Sequence, residues 1–400
     1  MKKVRIGLMS VLTAALLAAC GGGDAPIPGS GAPSGTPTTQ GNFTALVSFG
    51  DSLSDIGSYA TATVHPLGPP PANTIGGKFT TNIDGNLGTL WVENLATALG
   101  LTVTLAEAGF NKASVKCPIA AAVPALASTC TAYGQGGSRI TDAKGYGQNP
   151  DGSGMLAVPV VTQIANHLAR FGSFKDSDLI FVWAGDNDLF QQLDDFKTAA
   201  AKISTAAALN QSPADEVNRQ LFSAQTVAQL AMKKAAQDLS GYVRSQILAK
   251  GGKYVAVVTP VDIAVTPYGL SLAPASQAFA TTLINTFNLW LRDGLTDQAV
   301  MWIDSTAMLR DISSNPANYG LVNVTAPACD IAKISALTGG VVADGNSLFC
   351  NTTPGAAYNG LVTGADVNTW LFADSVHPTT AGHKAISDLF KRQLKSFGWL

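Results

Sequence analysis

Charge is scarce in this sequence. Only 13% of its 400 residues are Asp, Glu, Lys or Arg, and 25 basic side chains against 27 acidic ones give a formal net charge of −2. There is no basic stripe to neutralise phosphates and no acidic run to keep a segment solvated. Nucleic-acid binding and partner choice by bulk charge are therefore not expected. Histidine and cysteine are also few, at four and five residues. No Cys-x-x-Cys occurs and no histidine lies close to a cysteine, so a zinc site is not expected either. The chain has no internal repeat, and its N-terminal apolar run, residues 6–19, is too short to span a bilayer comfortably.

That run follows Lys2, Lys3 and Arg5 and leads into Leu17-Ala18-Ala19-Cys20. A basic flank, a short apolar stretch and small residues form an export signal, expected over residues 1–19. Leu-Ala-Ala-Cys resembles the bacterial lipobox, which makes Cys20 the expected lipidation site. Gly21, rather than an aspartate, favours outer-membrane retention by the same resemblance. Residues 20–41 are rich in Gly, Pro, Ser and Thr and carry almost no large apolar side chain, so they read as a flexible tether. The folded domain is expected over residues 42–400. No C-terminal segment reads as barrel-forming strands, so an autotransporter arrangement is not expected.

Setting Cys20 aside leaves Cys117, Cys130, Cys329 and Cys350. An even number in an exported chain points to two disulfides, and sequence alone allows three connectivities. Each of the pairs Cys117 with Cys130 and Cys329 with Cys350 brackets a short loop-like segment, so pairing by proximity is expected.

The hydrophobic content of 46% suffices for one large core. Short, continuously apolar runs at residues 45–49, 179–183, 254–258 and 300–303 read as buried strands. Helical spacing appears over residues 90–99, 160–171, 216–250 and 277–295, and in a last helix capped by Thr379 or Thr380. Residues 101–105 alternate as a strand does, whereas residues 107–154 show little periodicity. Buried strands alternating with helices predict a three-layer α/β/α domain with a mainly parallel sheet and long loop insertions. In such sheets ligands bind beyond the carboxyl ends of the strands, where Ser52 and the run Gly185-Asp186-Asn187-Asp188 both fall.

Ser52 ends the run Phe49-Gly50-Asp51-Ser52. A serine hydroxyl needs a base, an orienter for that base and donors for the oxyanion. His167, on an amphipathic helix, reads as a surface or partly packed residue, His65 as a loop residue, and His383 as part of the last helix. His377 differs, because Asp374 stands three residues before it in a turn ahead of that helix. This spacing allows Asp374 to hold one ring nitrogen while the other faces a nucleophile. The Gly-x-Ser-x-Gly elbow of α/β-hydrolases is absent from the domain. Taken singly, Gly-Asp-Ser also reads as a turn, Gly-Asp-Asn-Asp as a solvated loop or weak calcium site, and Asp-x-x-His as a helix cap.

Phe49 to Asp55, Gly136-Gly137, Gly185 to Asp188 and Asp374-x-x-His377, in that order, resemble the four blocks of the GDSL or SGNH hydrolases. The resemblance implies a flavodoxin-like α/β fold and an esterase or lipase working through an acyl-enzyme, with no metal or cofactor. It makes Ser52 the nucleophile, His377 the base and Asp374 its orienter. The oxyanion donors would be the amides of Ser52 and Gly137 and the side chain of Asn187, with Gly136 and Gly137 hard to separate. An acyl ester or lipid is the implied substrate. Acyl transfer to an alcohol, or deacetylation of carbohydrates, would use the same residues, and a non-enzymatic surface module is a further alternative. Two departures stand out: Ser58 where relatives often have asparagine, and Asp186 where many have a neutral residue. On a turn at a strand end, Asp186 is expected to point to solvent. The insertions at residues 61–88 and 306–369 are expected to shape an acyl groove.

Overall fold

The computed structural model describes residues 40–60, 76–83, 88–209, 213–340, 342, 345–356 and 358–400. The export signal, Cys20, most of the tether and His65 lie outside these residues. In chain order the strands are β1 (Ala45–Gly50), β2 (Thr104–Leu105), β3 (Glu107–Phe110), β4 (Ala113–Lys116), β5 (Cys130–Ala132), β6 (Asp178–Trp183), β7 (Tyr254–Val258), β8 (Met301–Ile303), β9 (Asn323–Pro327) and β10 (Trp370–Phe372). The main helices are α1 (Trp91–Ala98), α2 (Val160–Phe171), α3 (Asp186–Ala208), α4 (Ala214–Tyr242), α5 (Pro274–Gly294), α6 (Ser305–Ser314) and α7 (Thr380–Ser396).

Six strands form the central sheet in the order β2-β5-β1-β6-β7-β8, and every neighbouring pair is parallel. Because side chains alternate across a strand, each buried strand feeds two cores. Val47, Phe49, Ile180, Val182, Val255 and Val257 face one way, toward α2, α4 and α5. Leu46, Leu179, Phe181, Trp183, Ala256 and Val258 face the other way, toward α1 and α7. The nearly continuous apolar residues of these strands are thus what a sheet covered on both faces requires. The result is the expected three-layer α/β/α fold.

Three elements depart from expectation. β5 is a core strand inside the stretch that shows little periodicity; three residues are too few to display a pattern. α3 is a long helix whose buried residues are confined to Asp186–Leu189 and Gln192, so no apolar stripe marks its outer half. The helix read over residues 216–250 is regular only to Tyr242; it continues as a π turn and a 3₁₀ turn before Gly251 ends it with φ +98°. The cysteines pair by proximity, Cys117 with Cys130 and Cys329 with Cys350.

After β1 the chain first lays down the edge strand β2 and then inserts β5 between it and β1, and only then builds outward on the other side through β6, β7 and β8. The carboxyl ends of β1 and β6 therefore flank a crevice at the point of reversal, where such sheets hold ligands. Gly50 and Trp183 stand opposite each other at that end.

Candidate active site

Gly50 closes β1 because nothing larger fits: a Cβ there would lie 2.1 Å from the carbonyl oxygen of Trp183. The chain then turns into a single 3₁₀ turn, Ser52–Ser54, capped by Asp51, whose Oδ1 accepts from the Leu53 amide at 3.1 Å. Leaving the sheet frees the backbone groups of Gly50, and Gln163 on α2 satisfies both. Its Oε1 accepts from the Gly50 amide at 2.9 Å and its Nε2 donates to the Gly50 carbonyl at 2.7 Å. Gln163 was not singled out from the sequence, although a polar residue on the apolar face of a helix is the signal that marks it. Asp55 completes the platform by accepting from the amides of Gly57 and Ser58, the hydroxyl of Ser58 and the amide of Gly136. Ser58 is therefore a hydrogen-bond donor to this carboxylate.

The partners come from the other end of the chain. Asp374 and His377 lie in the turn between β10 and α7. Asp374 Oδ1 accepts from the amides of Val376 and His377 at 2.9 and 2.7 Å, which fixes the turn. Its Oδ2 lies 2.7 Å from His377 Nδ1 and also accepts from the Ser347 amide at 2.7 Å. His377 Nε2 then lies 2.8 Å from Ser52 Oγ. Asp374 and His377 are 4% and 9% exposed, so this chain of polar groups is largely shielded from water. Burial pushes the Asp374 carboxyl up, but the adjacent imidazole and the converging amide donors outweigh it and hold the group below its usual range. Phe79 packs on the His377 ring at a centroid distance of 4.9 Å and limits its rotation.

Asn187 sits in the first turn of α3 and sends Nδ2 to the Ser138 carbonyl at 2.9 Å. An amide nitrogen carries two N–H donors, so one remains for a ligand. The two glycines that sequence leaves hard to separate now differ. The Gly136 amide donates to Asp55, whereas among the described residues no acceptor takes the amides of Gly137 or Ser52. Gly137 adopts φ +79°, and a Cβ there would lie 2.6 Å from the Tyr146 carbonyl oxygen. That conformation and that close approach both favour glycine.

Asp186 does not point to solvent. It is 5% exposed because Gly185 ends the strand and α3 begins at once, placing the first turn of the helix against the sheet. Its Oδ1 accepts from the Val261 amide at 3.0 Å. His167 is not a surface residue either. It is 1% exposed, stacked on Phe174 at 4.3 Å, with neither ring nitrogen hydrogen-bonded among the described residues. Burial therefore lowers its pKa to about 4. His383 is also buried, with a pKa lowered to about 3 by the same cause.

Ser52, Gly137, Asn187, Asp374 and His377 thus line one cavity of about 340 Å³, together with Leu53, Phe79, Met155, Phe190, Val261 and Tyr268. It opens at the end of the crevice between β1 and β6. Both expected insertions reach this cavity, residues 61–88 through Phe79 and residues 306–369 through Asn346, although most of residues 61–88 lie outside the described residues.

Esterase EstA of Pseudomonas aeruginosa and Esterase EstA of Pseudomonas putida are each 31% identical to the chain over 149 residues, which is 37% of this chain. The aligned segment spans only about a fifth of the length of these relatives. Residues 46–390 match the sequence profile described as GDSL-like Lipase/Acylhydrolase, a span that runs from β1 into α7. The chain belongs to the GDSL-like lipase/acylhydrolase family.

Proposed function

We propose that the protein is a serine hydrolase of carboxylic esters. The observation that carries this reading is the unbroken polar chain from Ser52 Oγ through His377 to Asp374, with contacts of 2.8 and 2.7 Å. In this mechanism His377 Nε2 takes the proton of Ser52 as the oxygen attacks the ester carbonyl. Asp374, ionised well into the acid range, holds the proton on Nδ1 and stabilises the imidazolium that forms. The amides of Ser52 and Gly137 and the free N–H of Asn187 receive the negative oxygen. His377 returns the proton to the leaving alcohol, and water then resolves the acyl-enzyme with the same base.

Leu53, Phe79, Met155, Phe190 and Val261 give the cavity an apolar side that suits an acyl chain, while Tyr146, Tyr268, Asn346 and Ser375 add polar groups around it. The test is Ser52→Ala assayed on p-nitrophenyl butyrate, with folding checked by circular dichroism. Turnover is expected to fall by about 10⁴-fold or more. A folded variant that keeps wild-type turnover overturns the reading.

A further inference from the structure

Two carboxyl groups beside the serine have no use in the mechanism above. Asp51 and Asp186 are 0% and 5% exposed, and each spends one oxygen on a backbone amide, Leu53 and Val261 respectively. Among the described residues the Oδ2 atom of each has no hydrogen-bond partner. The two groups are electrostatic neighbours: Asp51 comes directly after Gly50 at the end of β1, Asp186 opens α3 three residues after Trp183 at the end of β6, and Gly50 and Trp183 are paired. A buried carboxylate oxygen without a donor is costly, and two adjacent ones in the charged state are more so. One proton between them removes both penalties: the protonated oxygen becomes a donor and the other accepts it.

We propose that Asp186 is held as a neutral carboxylic acid that donates to Oδ2 of Asp51. It thereby acts as a positioning residue that ties the serine turn to the asparagine turn and keeps a negative charge away from the oxyanion site.

The surrounding charges put the proton on Asp186. Burial raises both groups; Asp51 is moderated by its bond from Leu53 and by His377 and stays at about 7, while Asp186 is pushed further by the charge of Asp51. The remaining titratable neighbours are already committed. On α3 itself, Asp188 accepts from the Arg139 side chain and the Ile140 amide. In the turn before α7, Asp374 is bonded to His377. Past β7, Asp262 is paired with Arg310. None of these offers Asp186 a cation, and one shared proton satisfies the Oδ2 atoms of both carboxyls. The inference rests on Ser52 as nucleophile, because only then is a charge beside Asn187 harmful to turnover.

The test compares the wild-type enzyme with Asp186→Asn, each pH profile of kcat/KM normalised to its own maximum. The amide keeps an acceptor for Val261 and a donor for Asp51 but carries no ionisable proton. On the alkaline side the wild type is expected to lose activity as Asp186 ionises, by about 10²-fold if one oxyanion donor is cancelled. The variant is expected to stay flat over the same range. Parallel alkaline loss in both enzymes overturns the proposal. Infrared spectroscopy gives a readout independent of turnover and of whether the variant folds. The wild type at neutral pH should show the C=O stretch of a protonated carboxylic acid, shifted in D₂O, and its absence overturns the proposal. Failure of the nucleophile reading is separately visible, because Ser52→Ala would then remain active while the infrared band persists.

Discussion

In the proposed mechanism Asn187 serves structure and chemistry together. Its hydrogen bond to the Ser138 carbonyl holds the amide plane, so the second N–H is aimed before substrate arrives. A donor fixed in advance costs no reorganisation when the alkoxide forms. Asn187→Ala is therefore expected to lower kcat by about 10²–10³ with little change in KM. Steady-state kinetics on a soluble ester check this, and a loss confined to KM would contradict it. Asp186, one position earlier, shows the limit of reading residues singly. In sequence it stands in a run of turn formers after a strand; in the fold that run is the first turn of a helix pressed against the sheet. Burial is set by packing that the local sequence does not display.

At the scale of elements, α2 is the support beneath β1. It carries Val160 and Ile164 into the core, but also Gln163 and His167 on the same buried side. The glutamine is fully used, by Gly50 and by the Val158 carbonyl, whereas the histidine has no hydrogen-bond partner among the described residues. Burial holds His167 at a pKa of about 4, below the ordinary 6.5 of an unfolded histidine. Between these values the unfolded chain binds a proton that the folded chain refuses. Stability attributable to His167 is accordingly intact above about pH 6.5 and falls as the pH drops toward 4. His167→Phe removes this proton linkage and leaves no orphaned nitrogen. The loss of unfolding free energy between pH 7.5 and 4.5, measured by urea titration, is expected to shrink by about 2 kcal/mol in the variant. An unchanged pH dependence would contradict the burial argument. The segment closed by the Cys329–Cys350 disulfide does related work at the other end of the site, since it presents the Ser347 amide to Asp374.

Across the whole molecule, what was legible in the sequence is what physical pattern encodes locally. Continuous apolar runs reveal the buried strands, because a sheet covered on both faces needs apolar residues at nearly every position. Asp374-x-x-His377 is legible because three residues are the length of the turn that folds the carboxylate back on the ring. Less was legible where meaning depends on distant partners. β5 is too short to show a period, the outer half of α3 has no apolar stripe, and Gly136 parts from Gly137 only once Asp55 is seen to occupy its amide. The histidine that matters is brought to Ser52 from 325 positions away, and the reversal of strand order at β1 is what makes that meeting possible.

The most direct test of the central claim is mass spectrometry of the protein after exposure to a fluorophosphonate probe. The account predicts one adduct, on the peptide containing Ser52, formed by the folded wild type and lost on denaturation. Continued ester turnover by protein without an adduct at Ser52, or an adduct on another serine, would contradict it.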